Sequence, residues 1–488
     1  MSAAFLDPQR ALGGSELAAS EAAVAAWLAE DCGQAVRCGL LADNGVPWAI
    51  VDRVLQRSAA VTVPLPRHFS PAQLAHVIED ASVERIITDD PRQLPGLPGA
   101  WQLRDTGEFG LQRWARAARA APSPALPAGT AKITYTSGST GNPKGVCLTR
   151  EAMRAVVTSL AAALAPLGVT RHLCLLPLST LLDNLVSVEV APALGATVCL
   201  PSLEESGIGY GGLDVRRMLA CLGRYAPESL LLVPELLRVL VYAAESGWRP
   251  PAGLKFIAVG GSAVSPDLLH AAQAAGLPAH EGYGLSECAS VVALNLPGAE
   301  RKGSVGRVLP HATVRIDAAG EIHVRGATMR GYLGDGDGDG DGSEHGDEIA
   351  TGDLGFIDDD GFLHVRGRRK NLLITSLGRN VSPEWVEREL LASPDLAQAV
   401  VFGEARPFLC ALVHPAAAAL GHVRLGAAIA AANRNLPEYA QVRRWALLPE
   451  PLGAVDGAVT ANGRIRREVV FSRYAALIEE LYADAIAG

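Results

Sequence analysis

One lysine closes a run of hydroxyls and glycines: Tyr135-Thr136-Ser137-Gly138-Ser139-Thr140-Gly141-Asn142-Pro143-Lys144-Gly145. Glycines let the backbone turn several N–H groups toward one point. Serine and threonine hydroxyls add donors, and Lys144 adds a mobile positive charge. Together these groups suit a polyphosphate. The spacing Gly-x-x-x-x-Gly-Lys-Ser/Thr of the Walker loop does not fit. A second group is Glu281-Gly282-Tyr283-Gly284-Leu285-Ser286-Glu287. Tyr283 offers a ring on which an adenine could stack, Ser286 a hydroxyl for phosphate, and Glu287 a hard oxygen ligand for Mg²⁺. A third is Thr351-Gly352-Asp353-Leu354-Gly355, where an aspartate on a tight turn could accept from two ribose hydroxyls. Taken alone, each of these three also reads as a capped or glycine-rich turn.

The elements around them alternate. Segments 15–28, 48–56 and 71–80 read as helices, and 61–65 and 85–88 as strands. After the first loop the rhythm resumes, with helices at 150–164 and 215–225. Strands follow at 172–176, 196–200, 230–233 and 256–259. This βα alternation predicts a doubly wound α/β sheet. From about residue 303 short alternating strands (313–316, 321–324, 362–365) predict a small antiparallel, barrel-like subdomain. Beyond Lys370 come strands at 372–374, 397–402 and 409–413 and helices at 382–391, 425–433 and 469–483. The expected organisation is an N-terminal domain over 1–368 and a small α+β domain over 369–488.

Composition bounds the rest. A chain of 488 residues exceeds one ordinary core, and 49% hydrophobic content fills several. A net charge of −9 argues against nucleic acid as the main partner. No apolar run reaches the roughly 18 residues of a membrane span, and residues 1–10 lack a signal-peptide core. The eight cysteines are scattered with no C-x-x-C, which indicates neither zinc nor disulfides and fits a cytoplasmic protein. The tract from Asp335 to Gly342 alternates Asp and Gly. Asp337, Asp339, Asp341 and Glu348 match a calcium-loop spacing, but no helices flank it, so a solvated acidic loop is expected. Lysine is scarce: Lys132, Lys144, Lys255, Lys302 and Lys370 are the only five.

These strings, in this order, resemble the signatures of the acyl-adenylate-forming (AMP-binding) superfamily. Their style is nearest to long-chain acyl-CoA synthetases, and the resemblance spans roughly residues 40 to 480. It implies ATP-dependent activation of a carboxylic acid to an acyl-AMP, then transfer to a thiol, CoA. The resemblance assigns Thr136, Ser137, Gly138, Ser139, Thr140, Gly141 and Lys144 to the phosphates. It places Gly261, Ser262, Glu281, Gly282, Tyr283 and Ser286 around the nucleotide, and Glu287 on Mg²⁺. Asp353 and Arg368, the latter in Gly367-Arg368-Arg369-Lys370-Asn371, would hold the ribose. Lys370 would be the hinge of a mobile C-terminal domain. Leu178, Thr180 and Gly260 would line the acyl pocket.

Two positions depart from the pattern. Arg464, in Thr460-Ala461-Asn462-Gly463-Arg464, stands where the family carries its adenylating lysine, and no lysine follows Lys370. A guanidinium keeps the charge but is larger and planar. Thr180 stands where relatives carry a histidine or aromatic gate. No aspartate presents itself to pair a substrate ammonium, which disfavours amino acids. Three readings stay open: an apolar fatty or aryl acid passed to CoA, the same acid loaded onto a carrier-protein phosphopantetheine, and a weakened nucleotide-binding relative.

Overall fold

The computed structural model describes residues 4–483 except 34, 68, 118–122, 137–142, 210–211, 263, 335–347, 377–379, 454–456 and 460–464. Helices begin where the sequence supplies caps. The helix Pro71–Asp80 opens with a capping box between Ser70 and Gln73 and a proline in its first turn. Thr149 and Asp214 cap the helices Arg150–Leu164 and Val215–Tyr225 through the N–H groups of Ala152 and Arg217. These three helices and the strands Arg85–Thr88 and Phe256–Val259 fall where periodicity predicts.

Two large sheets result. In one of nine strands, Phe256–Val259, Ser229–Leu232, Arg171–Leu173 and Thr197–Cys199 run parallel at the centre. The other, of eight strands, is built on the parallel set Arg85–Thr88, Arg37–Leu41, Val61–Pro64 and Thr130–Thr136. The alternating strands after 303 form a four-stranded antiparallel sheet, Ala312–Ile316, Glu321–Gly326, Glu348–Ile357 and Leu363–Arg368. A smaller C-terminal domain packs helices Pro383–Leu390 and His422–Arg434 on a three-stranded sheet. Its last expected helix, 469–483, is split into Arg467–Arg473 and Ala475–Ala483 at Tyr474. Tyr474 leaves helical geometry, and the split lets Val470, Ile478 and Tyr482 all join one core with Val400 and Phe402.

A charged clamp ties the eight-stranded sheet to the helix Val46–Arg57 and the segment 184–190. Lys132 lies fully buried, with Nζ 2.8 Å from Asp52 and 2.5 Å from the Asn184 amide oxygen. Asn184 donates to Asp52 at 2.8 Å. Each partner is satisfied by the other two, the condition under which a buried ion pair is tolerated. All eight cysteines are buried. No helix among the described residues is long and apolar enough to cross a membrane.

Candidate active site

The strands Thr130–Thr136 and Lys144–Thr149 pair antiparallel, with Thr136 opposite Lys144. Thr136 is thus a strand-end residue. Ser137, Gly138, Ser139, Thr140 and Gly141 lie outside the described residues. Lys144 projects from the strand's first position, its Nζ 5.1 Å from the centre of the Tyr332 ring. Tyr332, on a short strand paired with the same hairpin, donates its hydroxyl to Glu287 Oε1 at 2.8 Å. Glu287 sits on the 3₁₀ turn Ser286–Cys288, fastened by Met329 N–H to its own carbonyl. Lys144, Tyr332, Ser286 and Glu287 therefore share one wall of a cavity of about 1180 Å³. Tyr332 is invisible to motif reading, and its only sequence signal is an aromatic after the turn Arg330-Gly331.

Arg368 lines the same cavity, and its register partner Asp353 on the adjacent antiparallel strand lies just behind that lining. Arg368 Nε is 2.9 Å from Asp353 Oδ1, and the Tyr283 hydroxyl donates to Asp353 Oδ2 at 2.7 Å. Burial, with the Asp353 charge adding to it, pushes the Tyr283 phenol well above its ordinary range, so it remains a donor. Burial opposes the Arg368 charge, but the Asp353 and Glu287 carboxylates outweigh it. Thr351 fixes the turn by accepting from Asp353 N–H and donating to the Ile322 carbonyl. Glu321, which the motifs miss, accepts from Gly352 N–H at 3.0 Å and from Arg369 at 2.7 Å. With Asp317 and His323 it forms a compact set of candidate metal ligands. Its own oxygens are already engaged by those protein donors.

Gly260 and Gly261 end the strand Phe256–Val259 on the cavity wall, Gly261 with φ 88°. Gly282 lines the cavity beside them. Ser262 follows outside the wall. Glu281 is displaced from its expected contact. It is buried behind the glycines, where Oε1 accepts from Val264 N–H at 3.2 Å, and burial lifts its carboxyl to about 7. Ser290, at φ 104°, buries a cavity-wall hydroxyl that has no partner among the described residues. Nothing in the sequence marks it.

From this polar end the cavity runs on between the helix Arg150–Leu164, the segment 180–194 and the nine-stranded sheet. Leu160, Leu164, Val186, Val190 and Leu231 make that part apolar. Thr180 lines it, but Leu178 does not. Leu178 is fully buried in the core with Trp48, its N–H held by Asn44 Oδ1 at 2.8 Å. The C-terminal domain closes the polar end with Glu468. Arg464 lies outside the described residues, as do Asp337, Asp339 and Asp341. Of Lys370 the backbone alone is described, in the 3₁₀ turn Arg369–Asn371 between the four-stranded sheet and the C-terminal domain.

Residues 2–333 match the AMP-binding enzyme family, and residues 370–486 match the AMP-binding enzyme C-terminal domain. Long-chain-fatty-acid–CoA ligase FadD15 of Mycobacterium bovis is 27% identical over 89% of this chain and 86% of its own length. The 2-succinylbenzoate–CoA ligase of Bacillus licheniformis is 32% identical over 56% of each chain. The fold matches the anthranilate CoA ligase AuaEII, in complex with anthranoyl-AMP, at a TM-score of 0.78. That match has 19% identity and covers 98% of this chain and 95% of that one. The first family match alone covers well over half of the sequence, and the chain belongs to the AMP-binding enzyme family.

Proposed function

We propose that this protein uses ATP to activate an apolar carboxylic acid, fatty or aryl, as its acyl-AMP and then passes the acyl group to the thiol of CoA. The observation that carries the reading is one continuous cavity. Its polar end gathers Lys144, Glu287, Tyr283 and Arg368, the last two bonded to Asp353 just behind the wall, and its other end is an apolar tunnel. The names of the relatives, which include fatty-acid and aryl-acid ligases, support the same class.

In the first step a carboxylate oxygen of the acid attacks the α-phosphorus of ATP and pyrophosphate leaves. Two anions must meet, so the site's work is charge management. Lys144, with Thr136 and the loop Ser137, Gly138, Ser139, Thr140 and Gly141, offsets phosphate charge. Glu287 fits a metal-binding role, since Oε1 is held by Tyr332 while Oε2 takes no donor among the described residues. Mg²⁺ held there would shield the phosphate oxygens. Asp353, pinned by Tyr283 and Arg368, accepts from the ribose hydroxyls, and the backbone at Gly260, Gly261 and Gly282 lets the adenine approach. Arg464, four residues before the wall residue Glu468, supplies the C-terminal cation. In the second step the thiol attacks the acyl carbonyl and AMP leaves, after the C-terminal domain rotates about Lys370.

ATP–pyrophosphate exchange across a panel of fatty, aryl and amino acids tests this. Exchange with apolar acids and not with amino acids is expected, and no exchange with any acid refutes the reading. The replacement of lysine by Arg464 favours the second reading, a weakened nucleotide-binding relative, and that result would leave it standing. Thioester formation saturating with a phosphopantetheinylated carrier protein rather than with CoA would reassign the acceptor.

A further inference from the structure

Within the apolar part of the tunnel two polar side chains face the cavity together. His172 and Ser229 are register partners on adjacent parallel strands, 3% and 7% exposed, and both line the wall. The direction of every proton in their network follows from its buried end. Asp183 is fully buried; Oδ2 accepts Leu176 N–H at 2.9 Å and Oδ1 accepts the Ser187 hydroxyl at 2.5 Å. Ser187 has spent its one proton, so toward His172 Nε2, at 3.1 Å, it can only accept. Nε2 therefore carries the ring proton. Burial drives His172 down to about 4, so the ring is neutral and Nδ1 is bare. Ser229 Oγ, 2.9 Å away, then donates to Nδ1. What Ser229 has left is lone pairs, with no protein donor among the described residues.

Ser187 reaches both partners because 184–190 is wound as a π-helix, a form concentrated at functional sites. The same turn carries the wall residues Val186 and Val190. An alkyl tail passing Ser229 covers an acceptor and gives nothing back, whereas a donor on the tail repays it.

We infer that Ser229, oriented by His172, Ser187 and Asp183, is an acceptor subsite for a hydroxyl on the tail of the acid, so that the substrate class is a hydroxylated apolar acid. This rests on the reading that the tunnel holds the acyl chain.

The test is wild-type ATP–pyrophosphate exchange with straight-chain acids, isomers hydroxylated at successive carbons, and the matching methyl ethers. One hydroxyl position should raise kcat/KM over the plain acid by roughly threefold to tenfold. The ether at that carbon, which cannot donate, should not. In Ser229→Ala the ratio of hydroxy to plain acid should fall to about one. No favoured position in the wild type overturns the inference, and the wild-type panel decides this even if the variant does not fold. Equal preference for the ether overturns it, as does an unchanged ratio in Ser229→Ala. Exchange with no acid at all instead removes the ligase reading beneath it.

Discussion

Replacing Glu281 by glutamine should change how stability responds to pH. Glu281 is fully buried, its oxygen takes one backbone N–H, and the Arg388 charge offsets its desolvation only in part. Its carboxyl moves from 4.5 in the unfolded chain to about 7 in the fold. The folded state therefore binds this proton more tightly. Its contribution is fully present below the unfolded value and is lost as pH rises through the folded one. The span is worth about 3 kcal/mol. Glutamine keeps an acceptor for Val264 and cannot ionise. Its extra N–H₂ costs a constant amount, so the slope and not the absolute value carries the test. Asp183, lifted to about 6 by burial, works in the same direction, and His172, lowered to about 4, works against both. Both are shared by wild type and variant and cancel in the difference. Urea unfolding at intervals between about pH 4.5 and pH 8 should show Glu281→Gln gaining about 3 kcal/mol on the wild type as pH rises. Parallel curves would refute the argument.

Asp353→Ala should raise the KM for ATP at least tenfold, since charge-assisted hydrogen bonds are worth roughly 1.5–3 kcal/mol each; unchanged ATP affinity in a folded variant removes the ribose role. Glu287→Gln should depress acyl-AMP formation most at limiting Mg²⁺, because an amide is the poorer ligand, and normal rates there remove the metal role. Gly284→Ala should cost about 3 kcal/mol or more, because its Cβ would fall 1.6 Å from the Ser290 carbonyl oxygen; a melting temperature within a degree or so of wild type contradicts that close approach. Arg464→Ala should abolish acyl-AMP formation but spare thioester formation from synthetic acyl-AMP, and Arg464→Lys should restore it; wild-type adenylation by the alanine variant ends this assignment.

The fold was legible where one chemistry set one element. Segments 71–80, 150–164 and 215–225 read as helices in the sequence, and in the structure Ser70, Thr149 and Asp214 cap them at those starts. The grouping at the polar end was legible too, because Arg368, Tyr283 and Glu287 stand in short local strings that the fold brings to one cavity, with Asp353 bonded to the first two. What stayed hidden depends on pairing between distant strands. Tyr332 meets Glu287 only because its strand joins the Lys144 hairpin, and Glu321 meets Gly352 only across the antiparallel ladder. Local reading also misassigned faces. Leu178 lies two residues from the cavity residues Leu176 and Thr180, and Glu281 one residue from Gly282, yet both turn into the core while those neighbours line the cavity.

The segment 176–190 binds these strands of argument together. Leu176 N–H fastens Asp183, and Leu178 N–H fastens Asn44. Asn184 completes the Lys132–Asp52 clamp, and Ser187 sets the proton order that reaches Ser229. The residues that shape the tunnel, Thr180 and Val186 between those anchors and Val190 just beyond them, have side chains that enter none of these bonds. Tunnel width can therefore change at 180, 186 and 190 at ordinary packing cost. A change at 183, 184 or 187 strips a partner from a buried polar group and costs stability before it changes selectivity. The apolar end of the cavity is thus a rigid polar frame with replaceable apolar panels, and Ser229, bonded to His172, belongs to the frame.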